Sequence, residues 1–123
     1  MRVATPTTND PQTHEMELFK KVVEEKTSGR IQVSLFPASQ LGSNDQMLQQ
    51  LTAGQIHGLL EPTAFLGGFE EILTVVDIPY LWPDYQVAAA YLNGDGGKLF
   101  EPNLNKKGIT ALRYYEYGPR IML

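Results

Sequence analysis

The run Gly29–Gly58, GRIQVSLFPASQLGSNDQMLQQLTAGQIHG, decides the fold. Ile31, Val33 and Leu35 alternate with Gln32 and Ser34, the period-two pattern of a half-buried strand. Ser43 stands three residues before Gln46, the spacing of a capping box, and opens a helix over Met47, Leu48 and Leu51. Gly54 stands where that helix must stop. A second strand, Gln55–Glu61, follows, with Ile56, Leu59 and Leu60 apolar. Strand, crossover helix and strand make a βαβ unit, and the domain is α/β.

Working outward, Arg2–Thr5 forms a short strand and TPTTNDP a polar loop. Asp10 then Pro11 start a helix, a carboxylate for the orphan N–H groups before a proline that lacks one. Met16, Phe19 and Val23 make its apolar stripe, and Glu15, Glu17, Lys20, Lys21, Glu24 and Glu25 read as its solvated face. Gly29 ends it.

Towards the other end, residues 66–83 read as irregular and close on the aromatic, proline-rich run Ile78-Pro-Tyr-Leu-Trp-Pro83. Asp84 caps a helix over Val87, Ala88, Tyr91 and Leu92, stopped by Asn93-Gly94. Another helix runs from Lys98 towards Lys106, with Pro102 in its first turn or kinking it. After Gly108, Ile109–Tyr117 reads as a strand with Ile109, Ala111, Arg113, Tyr115 and Tyr117 on one face. Ile121–Leu123 looks like a strand just beginning, so the domain reads as truncated.

Composition narrows the function. With 123 residues, 42% hydrophobic and 20% charged, the chain is one globular domain by length. A net charge of −4, with only Lys20-Lys21 and Lys106-Lys107 as basic neighbours, argues against nucleic acid as a partner. Cysteine is absent, which removes disulfides, thiol nucleophiles and thiolate metal sites. MRVATPTTND has no hydrophobic core of the secretory kind, so the chain is cytoplasmic or its signal has been removed.

The usual catalytic constellations fail in turn. His14-Glu15 lacks the second histidine of a zinc protease, because Leu18 is there, and His57 stands alone. Gly94-Asp-Gly-Gly-Lys98 has Leu92 and Leu99 where a phosphate loop needs glycine and Ser or Thr, so it reads as a turn. Neither a nucleophile elbow nor a dinucleotide glycine motif is present. No catalytic residue, metal or cofactor is implied.

What remains is a set of strand ends, where open α/β sheets bind ligands. They carry Thr7, Thr8, Asn9 and Asp10 after the first strand, Phe36 and Ser39 after the second, Glu61 and Thr63 after the third, and Tyr117 and Arg120 after the last. These are the groups of a cleft for a small polar solute. Each has a plainer reading: Asp10 as a helix cap, Glu61 as a solvated carboxylate, Arg120 as half of a surface ion pair.

Five motifs in order resemble one family. Thr27-Ser-Gly-Arg30, Phe36-Pro-Ala-Ser-Gln-Leu-Gly42, Leu51-Thr-Ala-Gly54, Ile78-Pro-Tyr-Leu-Trp82 and Tyr117-Gly-Pro-Arg120 are similar to the signature of the solute-binding proteins of tripartite ATP-independent periplasmic (TRAP) transporters. The resemblance covers essentially the whole chain. It implies a periplasmic-binding-protein-like lobe with a mixed, mostly parallel sheet flanked by helices. Residues 1–123 would be the N-terminal lobe of a two-lobe protein, ending at the start of the crossing strand, with the C-terminal lobe absent.

It further implies a periplasmic protein without covalent chemistry, which traps a small organic acid and hands it to the TRAP membrane permease. By position, Glu61 falls on a strand-end site that contacts ligand in some members, the loop Asn9–Pro11, with Asp10, borders the cleft, and Arg120 matches a basic or polar site at the start of the crossing strand. The strand-end reading adds Thr63 and Tyr117 to these ligand-binding candidates. The arginine with which most members clamp the ligand carboxylate would lie beyond residue 123. Pro62 beside Glu61, and Pro102, depart from the family pattern.

Two other readings stand beside this one. One is an α/β enzyme with Glu61 as general base and Arg120 as anion clamp. The other is a sensory ligand-binding domain of similar fold. A lobe without its partner would leave apolar surface that favours self-association.

Overall fold

A computed structural model describes residues 1–115, which fall into two compact units divided between Glu61 and Pro62. The first unit runs β1 (Arg2–Ala4), α1 (Pro11–Lys26), β2 (Ser34–Phe36), α2 (Asn44–Thr52) and β3 (Gly58–Leu59). Its sheet has the order β2-β1-β3, both pairings parallel, with Val3 facing Leu35 on one side and Gly58 on the other. This bears out the α/β reading with parallel crossovers.

Alternation along β1 sends its two core residues to opposite faces. Val3 packs with Met16 and Val33, against Phe19 and Val23 of α1. Ala4 packs with Met47 and Ile56, against Leu51 of α2. The two crossover helices therefore cover opposite faces of the sheet, as a parallel sheet requires.

Local chemistry sets the helix ends. Asp10 caps α1 through Oδ1, which accepts the Thr13 N–H at 3.0 Å. The predicted capping box is present at α2: the Gln46 N–H donates to Ser43 Oγ at 3.3 Å, and the Ser43 N–H to Gln46 Oε1 at 2.8 Å. Gly42, at φ +116°, is the conformationally obligatory glycine here. A Cβ at that position would also strike Gln46 Oε1 and break the box.

The strands are shorter than their sequence patterns. β2 pairs with β1 from Ser34 onward, the Ser34 N–H donates to the Met1 carbonyl at 2.8 Å and the Met1 ammonium to the Gln32 carbonyl at 2.6 Å, and Ile31 is left exposed. β2 is an edge strand, and side chains of α1 satisfy the outward-facing backbone groups of Val33. Lys20 Nζ donates to the Val33 carbonyl and the Val33 N–H donates to Glu24 Oε1, both at 2.9 Å. Two residues of the supposedly solvated face of α1 thus hold backbone. The second predicted strand, Gln55–Glu61, is likewise paired only at Gly58–Leu59.

The second unit contains two 3-10 segments, Thr63–Leu66 and Glu71–Asp77, then α3 (Tyr85–Leu92) and α4 (Asp95–Lys106). Its core is Leu73, Phe100 and Leu104, joined by Leu66, Leu92, Ile109 and Tyr114. The stretch read as irregular is therefore partly helical. Asp84 caps α3 as expected, accepting the Val87 N–H at 2.9 Å.

Gly94–Lys98 is not a free turn, because α4 already begins at Asp95, and this places Pro102 in its interior rather than its first turn. The glycines permit a close helix–helix approach. A Cβ on Gly97 would meet the Leu92 carbonyl, and one on Gly96 the Tyr91 ring.

The predicted strand from Ile109 is not formed among the described residues, 109–115. Ile109 and Ala111 face the core, but Leu112 and Arg113 are both exposed, and Tyr114 turns inward instead. The alternation therefore changes phase. The Asn93 amide holds Tyr114 on both sides, donating to its carbonyl at 2.7 Å and accepting its N–H at 3.0 Å.

Candidate functional site

In a parallel sheet of order β2-β1-β3, the chain leaves β1 towards one neighbour and later returns on the other side. The carboxyl ends of β1 and β3 therefore flank a switch point, where such sheets open a crevice. The segments that follow these strands are Thr5–Asn9 and Leu60–Glu61.

The loop after β1 is held from below by the segment after β2. The Thr5 N–H donates to the Phe36 carbonyl at 3.1 Å, continuing the ladder past β1. The Ala38 N–H donates to the Thr7 carbonyl at 2.8 Å and the Ser39 N–H to the Thr5 carbonyl at 3.2 Å. Ser39 Oγ adds a 3.3 Å bond to the Pro6 carbonyl.

Ala38 and Ser39 hold φ of 54° and 53°, and Asn9 across the rim holds 56°. Left-handed backbone at three non-glycine residues is costly and is kept only where the surroundings dictate it. The Pro37–Gly42 motif is thus a brace for the rim.

Sequence reasoning missed Gln12. It is 2% exposed, and its Oε1 accepts both the Thr5 and Thr7 hydroxyls at 2.9 Å. The signal was a polar residue on the apolar stripe: Gln12, Met16, Phe19 and Val23 follow the i, i+4, i+7, i+11 spacing of one helix face. These hydroxyls are therefore fixed donors of the rim's foundation.

Glu61 ends the first unit. The Leu60 N–H makes the last ladder bond, to the Ala4 carbonyl at 3.0 Å. Both Glu61 carboxyl oxygens are buried, and neither has a hydrogen-bond partner among the described residues. Pro62 follows and has no N–H to offer. Burial above all, and then the negative charge of Asp45, push the Glu61 carboxyl up from 4.5 to about 7. The reading of Glu61 as a solvated carboxylate does not hold. Asp45, in the first turn of α2, is a second residue that sequence reasoning missed.

Asn9 is exposed on the rim. Asp10 serves as the α1 cap and also accepts the Thr13 hydroxyl at 2.9 Å, so its plainer reading is met. Thr63 lies in the second unit, where its hydroxyl donates to Asp77 Oδ2 at 2.8 Å. Tyr117, Arg120 and the Ile121–Leu123 segment lie outside the described residues. No group of three His, Cys, Asp or Glu that could hold a metal occurs among the described residues. A depression lined by Leu41, Gln46, Gln50 and Gln55 lies along the α2 flank, open to solvent and away from the strand ends.

An open parallel α/β sheet with braced polar loops at its switch point has the crevice at which such folds bind small molecules. The chain belongs to the bacterial extracellular solute-binding protein family 7, DctP, whose profile matches residues 3–123. It is 32% identical over 106 residues to the C4-dicarboxylate-binding periplasmic protein DctP of Rhodobacter capsulatus, covering 85% of this chain and 32% of that protein. It is 29% identical over 102 residues to the 2,3-diketo-L-gulonate-binding periplasmic protein YiaO of Escherichia coli, covering 83% and 31%.

Among solved structures, a TRAP periplasmic solute-binding protein from Ochrobactrum anthropi superposes with a TM-score of 0.87 at 30% identity, covering 94% of this chain and 37% of that one. One from Sulfitobacter with bound β-D-galacturonate gives 0.85 at 30%, covering 93% and 38%. The chain spans about a third of the length of the curated relatives it matches. These relatives are named as binding proteins, not enzymes, and several as periplasmic.

Proposed function

We propose that the chain is the N-terminal lobe of a periplasmic TRAP solute-binding subunit, which captures a small organic acid and delivers it to the membrane permease. The observation that carries the reading is the strand-end rim. Thr7 and Glu61 stand at the β1 and β3 ends, braced by the Pro37–Gly42 motif, within a family whose solved members hold galacturonate, orotate or succinate. Ligand contacts are assigned to Asn9, Glu61 and Thr63, and, beyond the described residues, to Tyr117 and Arg120. Asp10 contributes by fixing the start of α1 next to Asn9. Closure of two lobes on the ligand would then shift affinity for the permease.

Calorimetric titration of the gene product as encoded, against C4-dicarboxylates, sugar acids and aromatic acids, tests this. Micromolar binding without turnover is the expected result. Conversion of any of these compounds favours the enzyme reading with Glu61 as general base, which needs a second titratable partner beyond Asp45.

The 123-residue chain on its own is expected to self-associate. Tyr80 is 94% exposed and Leu112 80%, and Phe65, Ile78 and Leu99 are exposed as well. Light scattering across a concentration series checks this, and a constant monomer mass counts against it.

A further inference from the structure

Glu61 presents a chemical problem that its position sharpens. An ionised carboxylate can only accept hydrogen bonds, and a buried one needs donors or a cation. Neither Glu61 oxygen has a donor among the described residues. Pro62 removes the nearest backbone N–H, and the Thr63 hydroxyl is engaged by Asp77.

The charged groups of the surrounding elements do not help. From α2 comes Asp45, of the same sign. From β1 comes Arg2, whose guanidinium donates to the Gln55 carbonyl and lies over the Phe36 ring. His57, entering β3, accepts the Arg2 N–H through Nδ1. From the start of α1 comes Asp10, which caps that helix. An organic acid arriving at this rim would bring a further negative charge towards two carboxyl groups.

We propose that Glu61 captures the solute as the protonated acid, donating its O–H to an anionic oxygen of the ligand, so that the subunit takes up a proton together with its organic acid. This rests on the solute-binding reading and adds to it how the site is regulated. The protonated acid is a donor, removes the repulsion from Asp45, and adds no second negative charge beside the ligand's own. The ligand supplies the acceptor that Glu61 lacks among the described residues. Capture is then favoured in an acidic medium, and release is favoured as the pH rises.

Two measurements test the proposal. The first needs no ligand and compares thermal unfolding of the wild type and Glu61→Gln from pH 4 to 9. Glu61 titrates higher in the folded chain than in the unfolded one. Below pH 4.5 both states hold the proton, and between 4.5 and about 7 only the folded state does. Wild-type stability therefore falls relative to E61Q across that window and runs parallel above it. A difference that does not change with pH overturns the proposal.

The second is calorimetry of the gene product with D-galacturonate and with succinate, at pH 6 to 8.5, in buffers of different ionisation enthalpy. Wild-type affinity is expected to fall towards tenfold per pH unit above pH 7, with uptake of up to one proton per ligand. In E61Q, affinity should no longer vary with pH. Binding above pH 7 without proton uptake in the wild type refutes the proposal while leaving the solute-binding reading intact. Absence of binding by every organic acid in the panel overturns that reading and the ligand half of the proposal, and the first measurement still decides whether Glu61 holds a proton.

Discussion

Met47→Ala is expected to cost about 2–5 kcal/mol of stability, the range for removing a large buried side chain that its surroundings cannot refill. Met47 is fully buried and holds α2 to the sheet through Ala4 and Ile56. Ala4 lies on the central strand, so collapse into the space would displace the strand that both neighbours pair with. Domains of this size are stable by about 5–15 kcal/mol, so the loss is a large share of the whole. The exposed Gln49→Ala on the same helix should change stability by about 0.5 kcal/mol or less. Urea titration followed by circular dichroism compares the two, and a Met47 effect no larger than that of Gln49 would show that this face of α2 is not core.

Gly97→Ala should also destabilise, against the sign that helix propensity predicts. Alanine inside a helix is favoured over glycine by about 1 kcal/mol. At Gly97, however, the new Cβ would meet the Leu92 carbonyl, and the Tyr114 ring at 3.1 Å. A backbone carbonyl cannot rotate aside as a side chain can, so α3 and α4 must separate, with a cost of about 1–3 kcal/mol or more. At Gly96 the obstacle is the Tyr91 ring, which can swing, so Gly96→Ala should cost less. Gly68→Ala, with nothing within 4 Å, is the control and should be neutral or slightly stabilising. Thermal melts of the three variants give the order, and a Gly97→Ala protein at least as stable as the wild type would refute the close approach.

Both predictions concern features the sequence displayed without explaining. Met47 stood out as one apolar residue of a short capped helix, and the glycine pair as a failed phosphate loop. The pairing of α3 with α4 gives the glycines their reason, because two helices joined by so short a link must approach closely. Asn93 ends one helix and holds Tyr114 with the same amide.

Local chemistry was legible from residues alone. The caps at Asp10, Ser43 and Asp84, the capping box, the helix stops and the parallel crossovers all depend on neighbours a few positions apart, and they stand as read. The family signature was legible for the same reason, since the Pro37–Gly42 run encodes one tight loop. The strand ends followed from topology, which short crossovers constrain.

Tertiary structure alone decided the rest. Sheet order made β2 an edge strand, so the outward-facing backbone groups of Val33 came under the hold of Lys20 and Glu24. Burial of an acid depends on what surrounds it in space. Glu61 looked the same in the sequence whether solvated or enclosed, and only its burial in space and the negative charge of Asp45 push its carboxyl up. Gln12, called into the rim by two threonine hydroxyls, was invisible until β1 and α1 came together. Contacts between residues distant in sequence carry no local pattern, and the bonds that brace the strand-end rim from Phe36, Ala38 and Ser39 are of that kind.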